Sequence, residues 1–90
     1  MQQALLDITI EYCAAWNYTP RVVSLTQNIL GEREIEAFIG KWNLIPGVGG
    51  VFEVTINGDL VYSKKALGRH AEEGEVRKLI VEKLEAVRPT

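Results

Sequence analysis

The dipeptide Asn57-Gly58 constrains the fold more than any other feature of this chain. It stands between two short runs of alternating character, Val51 to Ile56 and Leu60 to Ser63. Both of its residues tolerate positive φ, so it specifies a tight hairpin. An antiparallel strand pair is thereby set in the second half of the sequence. The alternation puts Phe52, Val54, Ile56 and Val61 on one face, which is expected to lie under helices.

Leu5 to Tyr12 alternates in the same way, with Leu6, Ile8, Ile10 and Tyr12 opposite Asp7, Thr9 and Glu11, and reads as a first strand. Helical spacing follows. Val22, Leu25 and Ile29, with Val23, Thr26 and Leu30 beside them, predict a helix that starts between Trp16 and Pro20 and ends near Leu30, capped by Gly31. Thr19-Pro20 suits its first turn. Arg33 to Leu44 is expected to form a second strand, with Phe38, Trp42 and Leu44 on one face and Ile35, Ala37 and Ile39 on the other. After the hairpin, Lys64-Lys65 and a polar loop through Gly68-Arg69-His70 lead to a last helix from about Ala71 to Val87. Its apolar face carries Val76, Leu79, Ile80, Leu84 and Val87, with the stem of Lys83 over the rim.

The expected order is therefore strand, helix, strand, strand, strand, helix (β-α-β-β-β-α). A helix between the first two strands makes them parallel through a right-handed crossover, whereas the hairpin is antiparallel. Placing the third strand beside the first gives a four-stranded mixed sheet with both helices on one face. This is an α/β two-layer sandwich of thioredoxin-like layout. Ninety residues suffice for one such domain, spanning 1–90.

A net charge of −2 argues against a nucleic-acid or anionic-membrane partner. One Cys excludes an internal disulfide, and one Cys with one His does not make a structural zinc site. Met1-Gln2-Gln3 lacks the cationic start of a secretory signal, and no apolar run is long enough to span a bilayer. These features predict a soluble protein in the reducing cytoplasm, with no tightly bound cofactor.

Chemistry then centres on Cys13, where the strand pattern gives way to the helical one. A thiolate at such a junction is stabilised by the unpaired N–H groups and dipole of the following helix. The topology sets the end of the first strand beside Gly49-Gly50-Val51, so that Pro46, Gly49 and Gly50 offer a substrate backbone close approach to the sulfur. Lys64 and Lys65 emerge at the same edge, about 10 Å away across two strand spacings. The competing reading makes Cys13 a small buried hydrophobe. The glycines of Pro46–Gly50 lead into a strand rather than a helix, which is the wrong context for a phosphate loop. Asn17-Tyr18-Thr19, followed by Pro20, is a chance match to a glycosylation acceptor. His70 is expected to face solvent.

Three segments carry a resemblance. They are Tyr12-Cys13-x-x-Trp16-x-Tyr18-x-Pro20-Arg21, Pro46-Gly47-x-Gly49-Gly50-Val51-Phe52-Glu53-Val54, and Gly58-x-Leu60-Val61 with Ser63-Lys64-Lys65. Together they resemble the selenoprotein W group of the selenoprotein W/T/H (Rdx) family, over about Leu5 to Val87. The resemblance implies a thioredoxin-like fold and a thiol or selenol redox role, often linked to glutathione. In that family the second redox position holds selenocysteine or cysteine, whereas here it is Trp16. The carry-over therefore reaches Cys13 alone, with Ala14, Ala15 and Trp16 forming the redox loop. Two functions stay open. In one, Cys13 acts as a monothiol that forms a mixed disulfide with glutathione or a protein thiol, released by a second thiol from solution. In the other, the chain is a catalytically silent thioredoxin-like module that holds a protein partner at the Cys13/Trp16 edge. Trp16, Tyr18 and the Pro46–Gly50 loop would then form an exposed patch. A Trp16 ring tucked against Gly49-Gly50 is the alternative to that exposure.

Overall fold

Leu6, Ile8, Ile10 and Tyr12 are all buried along one face of β1 (Leu6–Cys13), while Asp7 and Glu11 on the other face are exposed. In this computed structural model, which describes residues 5–88, β1 is an inner strand of a four-stranded sheet of order β2-β1-β3-β4. Met1-Gln2-Gln3 and Pro89 lie outside the described residues. β1 runs parallel to β2 (Ile39–Gly47) and antiparallel to β3 (Phe52–Ile56), which pairs in turn with β4 (Asp59–Ser63). Val22 and Ile29 of α1 (Thr19–Leu30) and Val76, Ile80 and Leu84 of α4 (Glu75–Val87) join the inward residues of the sheet in one core. The two main helices thus cover one face, as the connection rules require. Among the described residues no helix is long and apolar enough to cross a membrane.

The hairpin forms as expected, with Asn57 at φ 52° and Gly58 at φ 85°. Asn57 also clamps the start of β1. Its N–H donates to the Asp7 carbonyl at 2.9 Å, its Oδ1 accepts from the Asp7 N–H at 2.8 Å, and its Nδ2 donates to the Leu5 carbonyl at 3.0 Å. The strand face assigned to Val61 is corrected by a bulge. Thr55 pairs with Leu60 but Val54 pairs with Tyr62, so Val61 is the extra residue. Tyr62 takes the buried inner position, and Val61 is only half-buried.

Three further boundaries differ. Arg33–Glu36 is a single helical turn, α2, rather than the start of a strand. Ile35 and Phe38 are three residues apart, a spacing that serves one face of a turn; Ile35 enters the core and Phe38 packs against it. The strand proper begins at Ile39, and an irregularity at Gly40 shifts its register against β1. Lys64–Leu67 forms the short α3, because Ser63 Oγ accepts a hydrogen bond from the Ala66 N–H at 3.1 Å. The last helix starts at Glu75, not Ala71, since Gly74 before it holds φ 82°, outside the helical region, and Glu75 pairs with Arg69 through two 2.8 Å contacts. Gly31 caps α1 in an ordinary right-handed conformation at φ −73°, from which the chain passes directly toward α2. Lys83 covers the rim of α4 and pairs with Asp59 at 2.6 Å.

Candidate functional site

Cys13 is the last residue of β1, and its side chain is wholly buried. Its N–H donates to the Val51 carbonyl at 2.8 Å. A turn from Ala14 to Tyr18 then separates it from α1, whose first residue is Thr19. Three hydrogen bonds close that turn, all at the long end of the normal range: Ala14 N–H to the Gly47 carbonyl at 3.2 Å, Asn17 N–H to the Ala14 carbonyl at 3.3 Å, and Tyr18 N–H to the Cys13 carbonyl at 3.4 Å. Asn17 holds φ 62° within it. The ground-state surroundings of Cys13 are thus those of a buried apolar residue.

Trp16 fits neither alternative alone. The residue is 59% exposed, yet part of its ring rests against Gly50, where an added Cβ would come within 2.4 Å of the indole. Gly50 itself is buried and holds φ +75°, so two independent reasons exclude a larger residue there. Lys64 fastens this arrangement. Its Nζ donates to the Gly50 carbonyl at 3.1 Å and stands 5.8 Å from the Trp16 ring centroid and 5.9 Å from that of Tyr18. Lys65, its neighbour, is exposed. Of the residues expected to receive a substrate backbone, Pro46 and Gly49 are exposed, whereas Gly50 lies under the indole. Ala14 and Ala15 are exposed at the turn.

The placement of His70 overturns the solvent-facing expectation. Its ring packs edge-on against Tyr18, with centroids 4.3 Å apart, and lies 5.9 Å from Phe52. Its Nδ1 is buried without a hydrogen-bond partner. The Arg69–Glu75 pair and a hydrogen bond from the Tyr62 hydroxyl to the Arg69 carbonyl hold the segment that delivers it. Burial, followed by the nearby charges of Arg21 and Lys64, holds the imidazole below its ordinary value of 6.5. Nothing local in the sequence signals this contact, because Tyr18, Phe52 and His70 come from three distant segments. Among the described residues no group of three or more His, Cys, Asp and Glu side chains is placed to hold a metal.

An aromatic row, Trp16, Tyr18, His70 and Phe52, therefore runs from the Cys13 turn into the helical layer. A family model described as the Rdx family matches residues 7–82, which include this whole arrangement. The chain belongs to the Rdx family. Selenoprotein W of Mus musculus and of Rattus norvegicus are each 34% identical to it over 80 residues, covering 83% of this chain and 85% of the relative. Among solved structures, a selenoprotein W-related protein from Vibrio cholerae superposes with a TM-score of 0.77 at 26% identity, covering 88% of this chain and 96% of its own. A protein from Bordetella parapertussis gives the same TM-score and identity, with 98% of its chain covered. The mixed sheet and helices of this Rdx chain match the selenoprotein W-related fold, consistent with the thioredoxin-like layout.

Proposed function

We propose that this Rdx-family chain is a monothiol redox protein in which Cys13 exchanges with a glutathione or protein disulfide. The Cys13 thiolate attacks one sulfur of the disulfide, forming a mixed disulfide and expelling the other sulfur as a thiolate. A second thiolate from solution then attacks the substrate sulfur of the mixed disulfide, expels Cys13 as its thiolate and leaves a new disulfide between itself and that half of the substrate, so the second thiol supplies the electrons. The chain needs no tightly bound cofactor for this, and the exchange suits a reducing compartment such as the cytoplasm. The observation that carries the reading is the position of Cys13, a buried thiol at the end of β1 immediately before a turn whose own hydrogen bonds are long. A buried thiol reacts only when its cover opens, and turns of this kind open locally at far lower cost than the sheet. Reduction of glutathione disulfide by the wild-type chain and by Cys13→Ser, with dithiothreitol as the second thiol and its uncatalysed rate subtracted, tests it: activity that survives the substitution does not come from the thiol. Trp16→Cys supplies a second check, since an internal disulfide formed in a glutathione buffer, seen as the loss of two hydrogens by mass spectrometry, marks the turn as redox-competent.

A second reading is favoured by the contrast between the fully buried Cys13 and the exposed Trp16 (59%) and Val48 (79%) at the same edge. Here the chain is a catalytically silent module that holds a protein partner through this edge. Absence of reductase activity in the wild type, with partner capture lost in Trp16→Ala, selects this reading over the first.

A further inference from the structure

Beside the aromatic row, on the helical side of His70, lies a cleft of about 240 Å³ between α1 and the segment that leads into α4. Leu25, Phe52 and Val76 give it an apolar lining, and His70 forms part of its wall. Its polar lining includes the uncharged Ser24 and Asn28 of α1 and, on the two elements that border it, charges of opposite sign: Arg21 on α1, and Glu72 and Glu73 just before α4. No ion pair joins them to one another or to any other side chain among the described residues, although Arg69 and Glu75 pair immediately alongside. The lining thus contains an arginine and two glutamates that make no ion pair, together with apolar residues.

We infer that this cleft binds a small zwitterion bearing an apolar side chain, either a free α-amino acid or a dipeptide. Arg21 receives the carboxylate, for which its planar fork is suited, and Glu72 or Glu73 receives the ammonium group. Leu25, Phe52 and Val76 cover the apolar side chain. The volume agrees, since pockets for drug-sized ligands run from about 300 to 1,000 Å³ and this cleft is smaller. An anion alone meets the negative charge of Glu72 and Glu73, and a cation alone meets that of Arg21. Only a ligand carrying both charges satisfies both walls.

The test is a titration of the full 15N-labelled chain, followed by amide and imidazole resonances, with L-leucine and separately with L-leucyl-L-leucine. Saturable shifts at Arg21, His70 and Gly74 are expected with at least one of them, and which of the two binds more tightly distinguishes free amino acid from dipeptide. Leucinamide and N-acetyl-leucine, each lacking one charge, should bind roughly tenfold more weakly. Arg21→Gln should erase the difference between leucine and leucinamide, while the Asn57 and Gly58 resonances report that the fold is intact. No saturation up to about 10 mM, equal binding of the singly charged analogues, or tighter binding of inorganic phosphate would each overturn the inference. Repeating the titration on Cys13→Ser should leave it unchanged, so failure here is separate from failure of the thiol reading.

Discussion

The two ends of β1 are closed by different means. At the Leu6 end, Asn57 makes three hydrogen bonds of 2.8–3.0 Å to backbone groups, two to Asp7 of β1 and one to Leu5 just before it. At the Cys13 end, the turn's own hydrogen bonds lengthen to 3.2–3.4 Å, and closure falls to the side chains of Trp16, Tyr18, Lys64 and His70. The Leu6 end is thus held by main chain and the Asn57 side chain together, whereas beyond the Cys13 N–H to Val51 carbonyl bond of 2.8 Å the other end relies on side-chain contacts, which rearrange locally at lower cost than a strand.

The largest effect should come from Asn57→Ala. It removes two side-chain hydrogen bonds and leaves alanine at positive φ, which should cost about 2–3 kcal/mol in denaturant unfolding. The rate of Cys13 alkylation in native buffer should change little, because a different opening controls it. If both quantities move together, the two ends are one cooperative unit and the contrast fails. Gly50→Ala attacks the other end. The added methyl meets the indole and sits at φ +75°, so it should cost about 1–2 kcal/mol, expel the Trp16 ring and raise Cys13 alkylation roughly tenfold. Lys64→Met keeps the stem and removes the bond to the Gly50 carbonyl, and alkylation should rise by about fivefold, corresponding to about 1 kcal/mol.

The smallest effect depends on pH. His70 in the folded chain binds its proton less readily than in the unfolded chain, whose value is near 6.5. The unfolded state therefore takes up more protons as pH falls below 6.5, and the stability held at neutral pH is progressively lost until the folded imidazole also protonates. Arg21 and Lys64, which face the ring, sharpen that loss. Thermal melts of the wild type and His70→Phe between neutral pH and pH 5 should diverge in this sense, with His70→Phe the flatter curve. Parallel curves would mean that the ring is free to leave its slot when charged.

The contrast between the two ends also marks what the sequence discloses. The Asn57-Gly58 hairpin is specified by adjacent residues, and the layer order follows from connection rules, so both are legible. Local pattern misleads where two periods coincide. Ile35 satisfies a strand alternation with Ala37 and Ile39 as well as a helical spacing with Phe38, and core burial of Ile35 decides for the turn. Val61 is misplaced because a bulge changes the parity of β4 without any signal in composition. Cys13 and Trp16 are evident in the sequence as a pair of positions. The burial of the thiol, the seat of the indole on Gly50 and the wedge made by His70 arise from long-range packing that no local window contains.

Pro46 has a consequence beyond the site. It sits in β2, at the border of the sheet, where a strand offers its outward backbone groups to any neighbouring chain. Proline supplies no N–H at one end of that border, and the irregularity at Gly40 bends the other, with Lys41 charged beside it. The stretch left for edge-to-edge pairing is short, from Trp42 to Ile45. A chain interrupted in this way resists stacking into extended β assemblies at high concentration, even with Ile45 and Val48 exposed nearby.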